Sequence, residues 1–475
     1  MRPPDRPDRV AAPRTLVAAH DLGELWLATI EGGRVMELAV YPAAAARWVG
    51  AIVKGRVTRS VPGVSALFVD VGFERDAFTV WDPPGGEREP PASGDELMVQ
   101  IVREADRGKG ARATPNVTIA GWSLVLVPGS THRGVSRRIG EAEERDRLRA
   151  ILERLEPQGT GLIVRTAARG LDEQVLQAEA TRLADRWRRI ERRAAAVSAP
   201  AVLEQEDGPL LAFLRDRLDG SIGEIVVEGE GLLAAVERAA AESVVPLPPR
   251  RRHTGPLPAV EAFGLERALD EALAREVRLP GGGRLVIDET EAFVAVDINS
   301  GRDTGAVDLE QTAVRTNLAA VAELERQIGL RNLSGLIVVD FIDMRDPDHR
   351  RAVNDALERV LAKDRLKTRF TRLSEFSLAE VTRQRRGLPL AARLTEPCPH
   401  CESGRTLRPE VQARRLLREL RRQARPVPGA RFVLSGPQRV IEAAQEIARE
   451  EGEASGLPAI SSIGFAVGPP GIERA

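Results

Sequence analysis

The sequence predicts several small domains of mixed α/β and α+β type, one of them a β-barrel. Three observations predict this. At 475 residues the chain exceeds what one hydrophobic core usually organises. Residues 49–102 carry short strands broken by Pro62-Gly63 and Gly72, the cadence of a small barrel. Residues 293–344 read strand, helix, strand, the pattern of a parallel pair with a crossover helix.

Composition narrows the class. With 43% hydrophobic and 29% charged residues the chain is globular. No apolar run approaches the roughly 20 residues of a membrane-spanning helix, so no membrane span is expected. The opening MRPPDRPDRVAAPR has no apolar segment of signal-peptide length and reads as a disordered tail over 1–20; a cytoplasmic protein is expected. A net charge of −1 sets aside bulk attraction to nucleic acid, but charge is unevenly placed. Between Lys363 and Arg393 nine cations (363, 365, 367, 369, 372, 383, 385, 386, 393) face three acids (364, 375, 380). Such a stretch suits a phosphodiester, and equally a solvated helix face.

In chain order, Gly23–Val40 reads as a hairpin turning at Gly32-Gly33. In the barrel segment Phe68, Phe73 and Phe78 lie among Lys54, Arg56, Arg59 and Arg75. Aromatic faces for bases and cations for the backbone are what single-stranded nucleic acid needs; at least one of the three phenylalanines should instead be core. Trp81–Pro91 is a Pro/Gly loop, and 107–110 (RGKG) a basic loop. WSLVLV within Asn116–Val127 and GLIVRT at Gly161–Thr166 read as strands, with helices to about Leu155 and over Asp172–Ala194. Arg165 and Thr166 end their strand as a guanidinium beside a hydroxyl, a pair able to hold a phosphate; an arginine there can equally be a structural ion-pair partner. Ile222–Val227 is a further strand, Val245–Pro258 a linker, and a helix runs from about Glu261 to Arg275. Asp308 with Gln311 resembles a capping box opening the helix between the two apolar strands.

Those strands, FVAVDINSG (Phe293–Gly301) and LIVVDFIDM (Leu336–Met344), each end in acids and read as fully buried. Asp297 and Asn299 are two residues apart and share a strand face. If the strands are adjacent, Asp297 and Asp340 converge at one sheet edge, where two carboxylates suit Mg²⁺ with substrate phosphate oxygens completing its shell. A cation there would polarise a phosphate and activate water, with Asn299 orienting either one. Acids at strand ends also cap loops, and the residues alone leave both readings open. Asp343, Asp288 and Asp303 are weaker candidates. The two cysteines form one unit, Cys398-Pro-His-Cys401, with Gly404 after it, a knuckle rather than a helix start. Structural zinc takes four ligands, so one pair per chain implies a site shared by two chains; a redox CxxC is the competing reading. A basic helix follows over Arg408–Arg425.

Taken together, VDINSGR (296–302), GLIVVDFIDM (335–344), RQR (383–385) and CPHC (398–401), with GLIVRT, SRR (136–138), IGEIVV, KGRV (54–57) and FVDVG (68–72), resemble the ribonuclease E/G endoribonucleases in this order over nearly the whole chain. The resemblance implies cleavage of single-stranded RNA to 5′-phosphate and 3′-hydroxyl ends, in rRNA and tRNA processing or mRNA turnover, with a preference for 5′-monophosphorylated substrates. It implies catalytic Mg²⁺ on Asp297 and Asp340 with Asn299 assisting. It implies a 5′-phosphate sensor at Arg165, Thr166 and Lys367, and RNA contacts at Phe68, Phe78, Lys109, Arg137 and Arg138. It implies structural Zn²⁺ on Cys398 and Cys401 linking a homodimer. The implied organisation is a tail (1–20), an RNase H-like subdomain in two parts (21–46 and 211–272), an OB-fold RNA-binding domain (47–114), a 5′-sensor domain (115–210), a DNase I-like catalytic domain (273–394), a zinc-link (395–408) and a small C-terminal α/β domain (409–475). Chain length matches the short ribonuclease G type. A catalytically weak RNA-binding relative is the alternative. Lys367 stands where the family commonly has arginine, which keeps the charge and loses the bidentate fork. The residues after Cys401 and after Phe78 also depart from the family pattern.

Overall fold

The computed structural model describes residues 13–42, 48–83, 89–105, 110–157, 160–205, 208–218, 220–301, 309–399, 401, 404–452, 456–458, 460–465 and 469–474. It is a mixed α/β architecture of several sheets. The first has five strands. Arg14–Asp21, Glu24–Glu31 and Arg34–Pro42 form an antiparallel meander, and Ile222–Glu228 then pairs parallel to the first strand with Arg250–Arg252 parallel beyond it. The second hairpin turns where expected. Gly32 and Gly33 both have positive φ, 56° and 77°, which a two-residue turn matching strand twist requires. Two expectations fail here. Residues 14–20, expected in the tail, belong to a strand whose Leu16, Val17 and Ala18 are fully buried. The expected linker 245–258 contains the edge strand Arg250–Arg252. Composition missed the first because the apolar run is short and follows directly on a Pro/Arg-rich stretch.

The barrel forms as its cadence predicted. Ile52–Val61, Ala66–Asp70, Ala77–Val80, Arg112–Thr114 and Glu96–Arg103 pair in sequence, and the last closes on the first. A closed five-stranded barrel of this size is consistent with an OB-fold. Val53, Val57, Leu67, Val69, Val99 and Ile101 fill it. Glycine is required at position 55, because a Cβ there would lie 2.4 Å from a Val69 methyl. The barrel borrows one strand from the next segment: Ala201–Glu204 pairs with Ile52–Lys54. Between them, Ile119–Ala120, Leu124–Val127, Gly161–Val164 and Arg133–Val135 form a four-stranded sheet covered by helices Ala142–Arg154 and Glu173–Ala196.

The acid-bearing strands lie in a six-stranded sheet. Its order is Glu276–Arg278, Arg284–Glu289, Val294–Asn299, Gly335–Asp340, Leu378–Arg383, Thr368–Phe370. Only the central pair is parallel, joined by helix Leu309–Arg331. That helix packs on two sheets. Val314, Val321, Leu324 and Ile328 meet the six-stranded sheet, while Arg326 Nε donates to Val35 O and Gly329 approaches Met36 O of the five-stranded one. The expected capping residue Asp308 lies outside the described residues. The single helix expected over 261–275 is two, Ala259–Ala262 and Leu265–Leu273, because Gly264 turns into the left-handed region between them.

After hairpin Thr395–Pro397 and Arg405–Leu407, the basic helix runs over Pro409–Ala424 and packs with a three-stranded sheet and helix Gln438–Glu451. Its basicity is inward as well as outward. Arg418 is buried, donating to Asp21 Oδ2 (2.6 Å) and Glu24 Oε2 (2.7 Å) above the Trp26 ring, while Arg421 donates to Asp21 Oδ1. Burial works to raise the Asp21 pKa, but the charges and hydrogen bonds of Arg418 and Arg421 hold it below the usual carboxylate value. Replacing Arg418 by Ala leaves Asp21 with Arg421 alone and Glu24 without its short ion pair, at a cost of about 3–5 kcal/mol. Denaturant unfolding should show this as an early transition of the C-terminal unit; a midpoint unchanged from wild type would refute it. Because the folded pKa of Asp21 is depressed, the wild-type docking is intact above the unfolded pKa near 4 and is lost as pH falls below it.

Candidate active site

The two acid-bearing strands run side by side, and Asp297 and Asp340 are register partners across them. Both strands alternate, with Val294, Val296 and Ile298, and Ile337 and Val339, pointing into the core. Asp297 and Asp340 lie on the opposite, open face and are exposed. The expectation of fully buried strands is therefore wrong. One face of this mixed sheet is covered by helices and the other faces solvent, so the small residue Ala295 sits outward beside the acids.

Asn299 Nδ2 donates to Asp297 Oδ2 at 2.5 Å, which fixes that carboxylate. Asp340 has a raised pKa, through partial loss of surrounding water first and the charges of Asp297 and Asp343 next. Asp343 accepts from the Ser377 hydroxyl at 2.7 Å and does not cap a helix; Asp346 does that, accepting from Asp348 N. Asp288 accepts from Arg275 Nε and Nη2 at 2.6 and 2.7 Å, and Asp303 lies outside the described residues.

Sequence reasoning missed the residues that hold the 341–346 loop. Asn317 is fully buried; its Nδ2 donates to Ile342 O and its Oδ1 accepts from Ile342 N, at 2.8 and 3.1 Å. Glu310 accepts from His349 Nδ1 and from the backbone N–H groups of Asp346 and Arg345, which hold its pKa down to about 2. The signal for Asn317 was a polar residue on an apolar helical stripe; Glu310 gave none.

Among the described residues no group of three or more His, Cys, Asp or Glu is set to hold a metal. The donor set here is two carboxylates and an amide, with electrostatics that favour an added positive charge. That fits Mg²⁺, which needs only one or two protein carboxylates. It does not fit a metal wanting an all-protein cage.

On the barrel, Phe68 and Phe78 face each other across adjacent strands, ring centroids 5.6 Å apart, both half-buried, with Arg59 over Phe68 at 4.1 Å. Phe73 is the core member of the trio, packed edge-on to Trp48. Lys109 lies outside the described residues. In the four-stranded sheet Thr166 Oγ1 is 3.2 Å from Ser136 Oγ, which also accepts from Arg138 N; Arg137 is exposed. Arg165 donates to Gly121 O, Arg215 O and Asp216 Oδ1, and Asp216 also holds Arg386. Burial lowers the Arg165 pKa. The ion-pair reading of Arg165 is thus realised. Lys367 is exposed on the neighbouring sheet and no hydrogen bond joins it to Arg165 or Thr166 among the described residues.

The basic segment divides. Arg365 pairs with Glu37, Arg383 with Asp364 and Arg386 with Asp216, whereas Arg369, Arg372 and Arg385 are exposed. These three of the nine cations therefore hold the fold together. At the hairpin tip lie Cys398, half-buried, and Cys401, exposed, with no disulfide among the described residues. Cys398 N donates to Gly404 O, and a Cβ on Gly404 would lie 2.5 Å from Cys401 Sγ. Gly404 thus lies close against both cysteines, two residues whose thiolates are the kind of ligand structural zinc takes.

Comparison with known proteins identifies the lineage. A profile of the ribonuclease E/G family matches residues 118–386. Ribonuclease G of Escherichia coli K12 is 34% identical over 443 residues, covering 88% of this chain and 90% of the relative. This chain belongs to the ribonuclease E/G family. It is an endoribonuclease by that membership. Ribonuclease E of the same organism is 35% identical over 465 residues, and that of Haemophilus influenzae 35% over 433; the chain spans 43% and 46% of their lengths. The family match runs from the four-stranded sheet through both acids to the RQR arginines.

The Asp340 environment makes a stability prediction. Its folded pKa is raised, so the metal-free protein loses stability as pH rises from the unfolded value near 4 through the folded one. Asp340→Asn removes this loss. In EDTA its Tm at pH 7 should exceed that of wild type, and the gap should close toward pH 4; a lower Tm at pH 7 would sink the argument.

Proposed function

We propose that this chain cleaves single-stranded RNA with Mg²⁺ held by Asp297 and Asp340, leaving 5′-phosphate and 3′-hydroxyl ends. The observation that carries the reading is the register pairing of the two carboxylates on an open sheet face. When bound, Mg²⁺ supplies Lewis acidity at the scissile phosphate and a lowered pKa for its water. Asn299 keeps the Asp297 carboxylate aimed, and Ser377 with Asn317 keeps the 341–346 loop behind Asp340 in place. Phe68 and Phe78 offer stacking faces to unpaired bases, with Arg59 and Arg137 beside the backbone. Duplex RNA presents no such faces, which makes single strands the substrate. The intact acid pair disfavours a binding-only role. Substrates of this chemistry fit rRNA and tRNA processing or mRNA turnover.

A 5′-monophosphate is proposed to dock at Thr166, Ser136 and Arg138, with Arg165 held as a fixed positive edge and Lys367 as a single charge from the adjoining sheet. Because Arg165 already serves Asp216 and two carbonyl oxygens, the 5′-end preference should be modest. Zinc is proposed between Cys398 and Cys401 of two chains, a homodimer link supported by the knuckle geometry. A chain with a single cysteine pair and no disulfide framework suits the reducing cytoplasm. The five-stranded order, a meander extended by two parallel strands, supports the RNase H-like assignment. For the six-stranded acid-bearing sheet we propose the DNase I-like one.

Two measurements test these assignments. Asp297→Asn and Asp340→Asn should each lower kcat by at least about 100-fold on single-stranded RNA in Mg²⁺, and the Mg²⁺-dependent rise in Tm should vanish; a wild-type protein that cuts equally well in EDTA would refute the metal role. Cys398→Ser should lower the zinc-to-protein ratio and shift sedimentation from dimer to monomer, and an unchanged ratio would remove the zinc-link.

A further inference from the structure

Phe376 is 79% exposed, far more than Phe293 (37%), the other exposed phenylalanine among the described residues. A large aromatic left in water forgoes the gain of burial, and here the backbone around it keeps it there. Its surroundings are built, not loose. Residues 374–378 form a tight turn in which Ser374 N donates to Leu378 O, Ser377 N donates to Ser374 O, and Ser374 Oγ accepts from the N–H groups of Phe376 and Leu378. Arg350 donates to Ser374 O from the neighbouring helix. Ser377 sits at φ 59°, a left-handed conformation uncommon outside glycine and asparagine, and is 1% exposed. The turn is tied to the acids twice: Ser377 Oγ donates to Asp343, and Ser377 O accepts from Phe341 N, the residue after Asp340. Leu378, two residues beyond Phe376, is the register partner of Asp340.

A strained, hydrogen-bonded turn therefore leaves an aromatic residue in solvent next to the strand end that pairs with Asp340. We propose that Phe376 is a stacking platform for a nucleobase flanking the scissile phosphate, separate from the Phe68–Phe78 face on the barrel. This rests on the RNA-cleaving reading above. A ring carried on the turn that pairs with the end of the Asp340 strand would set the position of the adjacent nucleotide, and hence of the phosphate relative to the acids. Stacking accepts any base, so it adds affinity and register without sequence selection.

The test uses the full chain and a 5′-monophosphorylated single-stranded oligoribonucleotide with one cleavage site, intact or carrying one abasic ribose at each position near that site in turn. Affinity is read by fluorescence anisotropy in EDTA, and cleavage separately in Mg²⁺. For wild type, one abasic position beside the scissile bond should weaken binding about tenfold. Phe376→Ala should weaken binding of intact RNA about tenfold and show no further loss at that abasic position. Phe376→Trp should restore affinity and report the base by quenching of the new indole, while Phe376→Leu, apolar without a π-face, should not. Equal affinity of Phe376→Ala and wild type, or an abasic loss that persists in full in Phe376→Ala, overturns the proposal. A Phe376 that serves another protein gives the first of these results. Wild-type protein that fails to cut RNA in Mg²⁺ overturns instead the reading on which the proposal rests.

Discussion

Two carboxylates held side by side repel, and much of this chain is arranged so that they stay together. Parallel neighbours place Asp297 and Asp340 in register, and parallel pairing requires a crossover. Helix Leu309–Arg331 is that crossover, and it is wedged between two sheets rather than laid on one. This explains its unusual content of buried polar groups: Glu323, Arg326, Gln327 and Arg331 satisfy one another and the strands and helices of the five-stranded unit. The charge repulsion at one end of the sheet is opposed by a helix anchored on both sides. Asn317 and Glu310 extend that anchoring to the loop beyond Asp340, where flexibility would let the acids part.

Arginine does unusual structural work throughout. Arg418 joins the C-terminal helix to the first hairpin, Arg326 and Arg365 join the acid-bearing unit to the five-stranded sheet, and Arg165 and Arg386 meet on Asp216. A planar fork with five donors can serve two carboxylates or several carbonyls at once, which lysine cannot. Domain contacts built this way are rigid and specific, and they leave net charge near zero although nearly a third of the residues are charged.

Local signals were legible and long-range ones were not. The barrel, the Gly32-Gly33 turn and the strand–helix–strand unit follow from periodicity and turn chemistry. Asp297, Asn299 and Asp340 were visible as acids at the ends of apolar runs. Their exposure was misread, because alternation is masked when an outward position holds a small residue such as Ala295. The strand Arg14–Asp21 was hidden behind a Pro/Arg-rich stretch, and one of its two partners lies some two hundred positions away. Which arginines stay exposed and which hold domains together depends on partners such as Glu37 and Asp216, and spacing carries no trace of them. Asn317 left a mark in its helix; Phe376 left none, since exposure is a property of the turn.

The five-stranded sheet is interrupted between its third and fourth strands by the barrel and the four-stranded unit. During synthesis the meander is complete once residue 42 has emerged, but the strand that covers its Arg14–Asp21 edge, Ile222–Glu228, comes about 200 residues later. At roughly 5–20 residues per second, the edge stands open for about 10–40 s on the ribosome. An open strand edge pairs readily with any other extended chain. The two inserted units can close on their own within that interval, and by folding they bring residue 222 back toward residue 14. The nested order of the chain thus converts an aggregation hazard into a timed assembly, in which the barrel and the four-stranded unit are finished before the acid-bearing sheet.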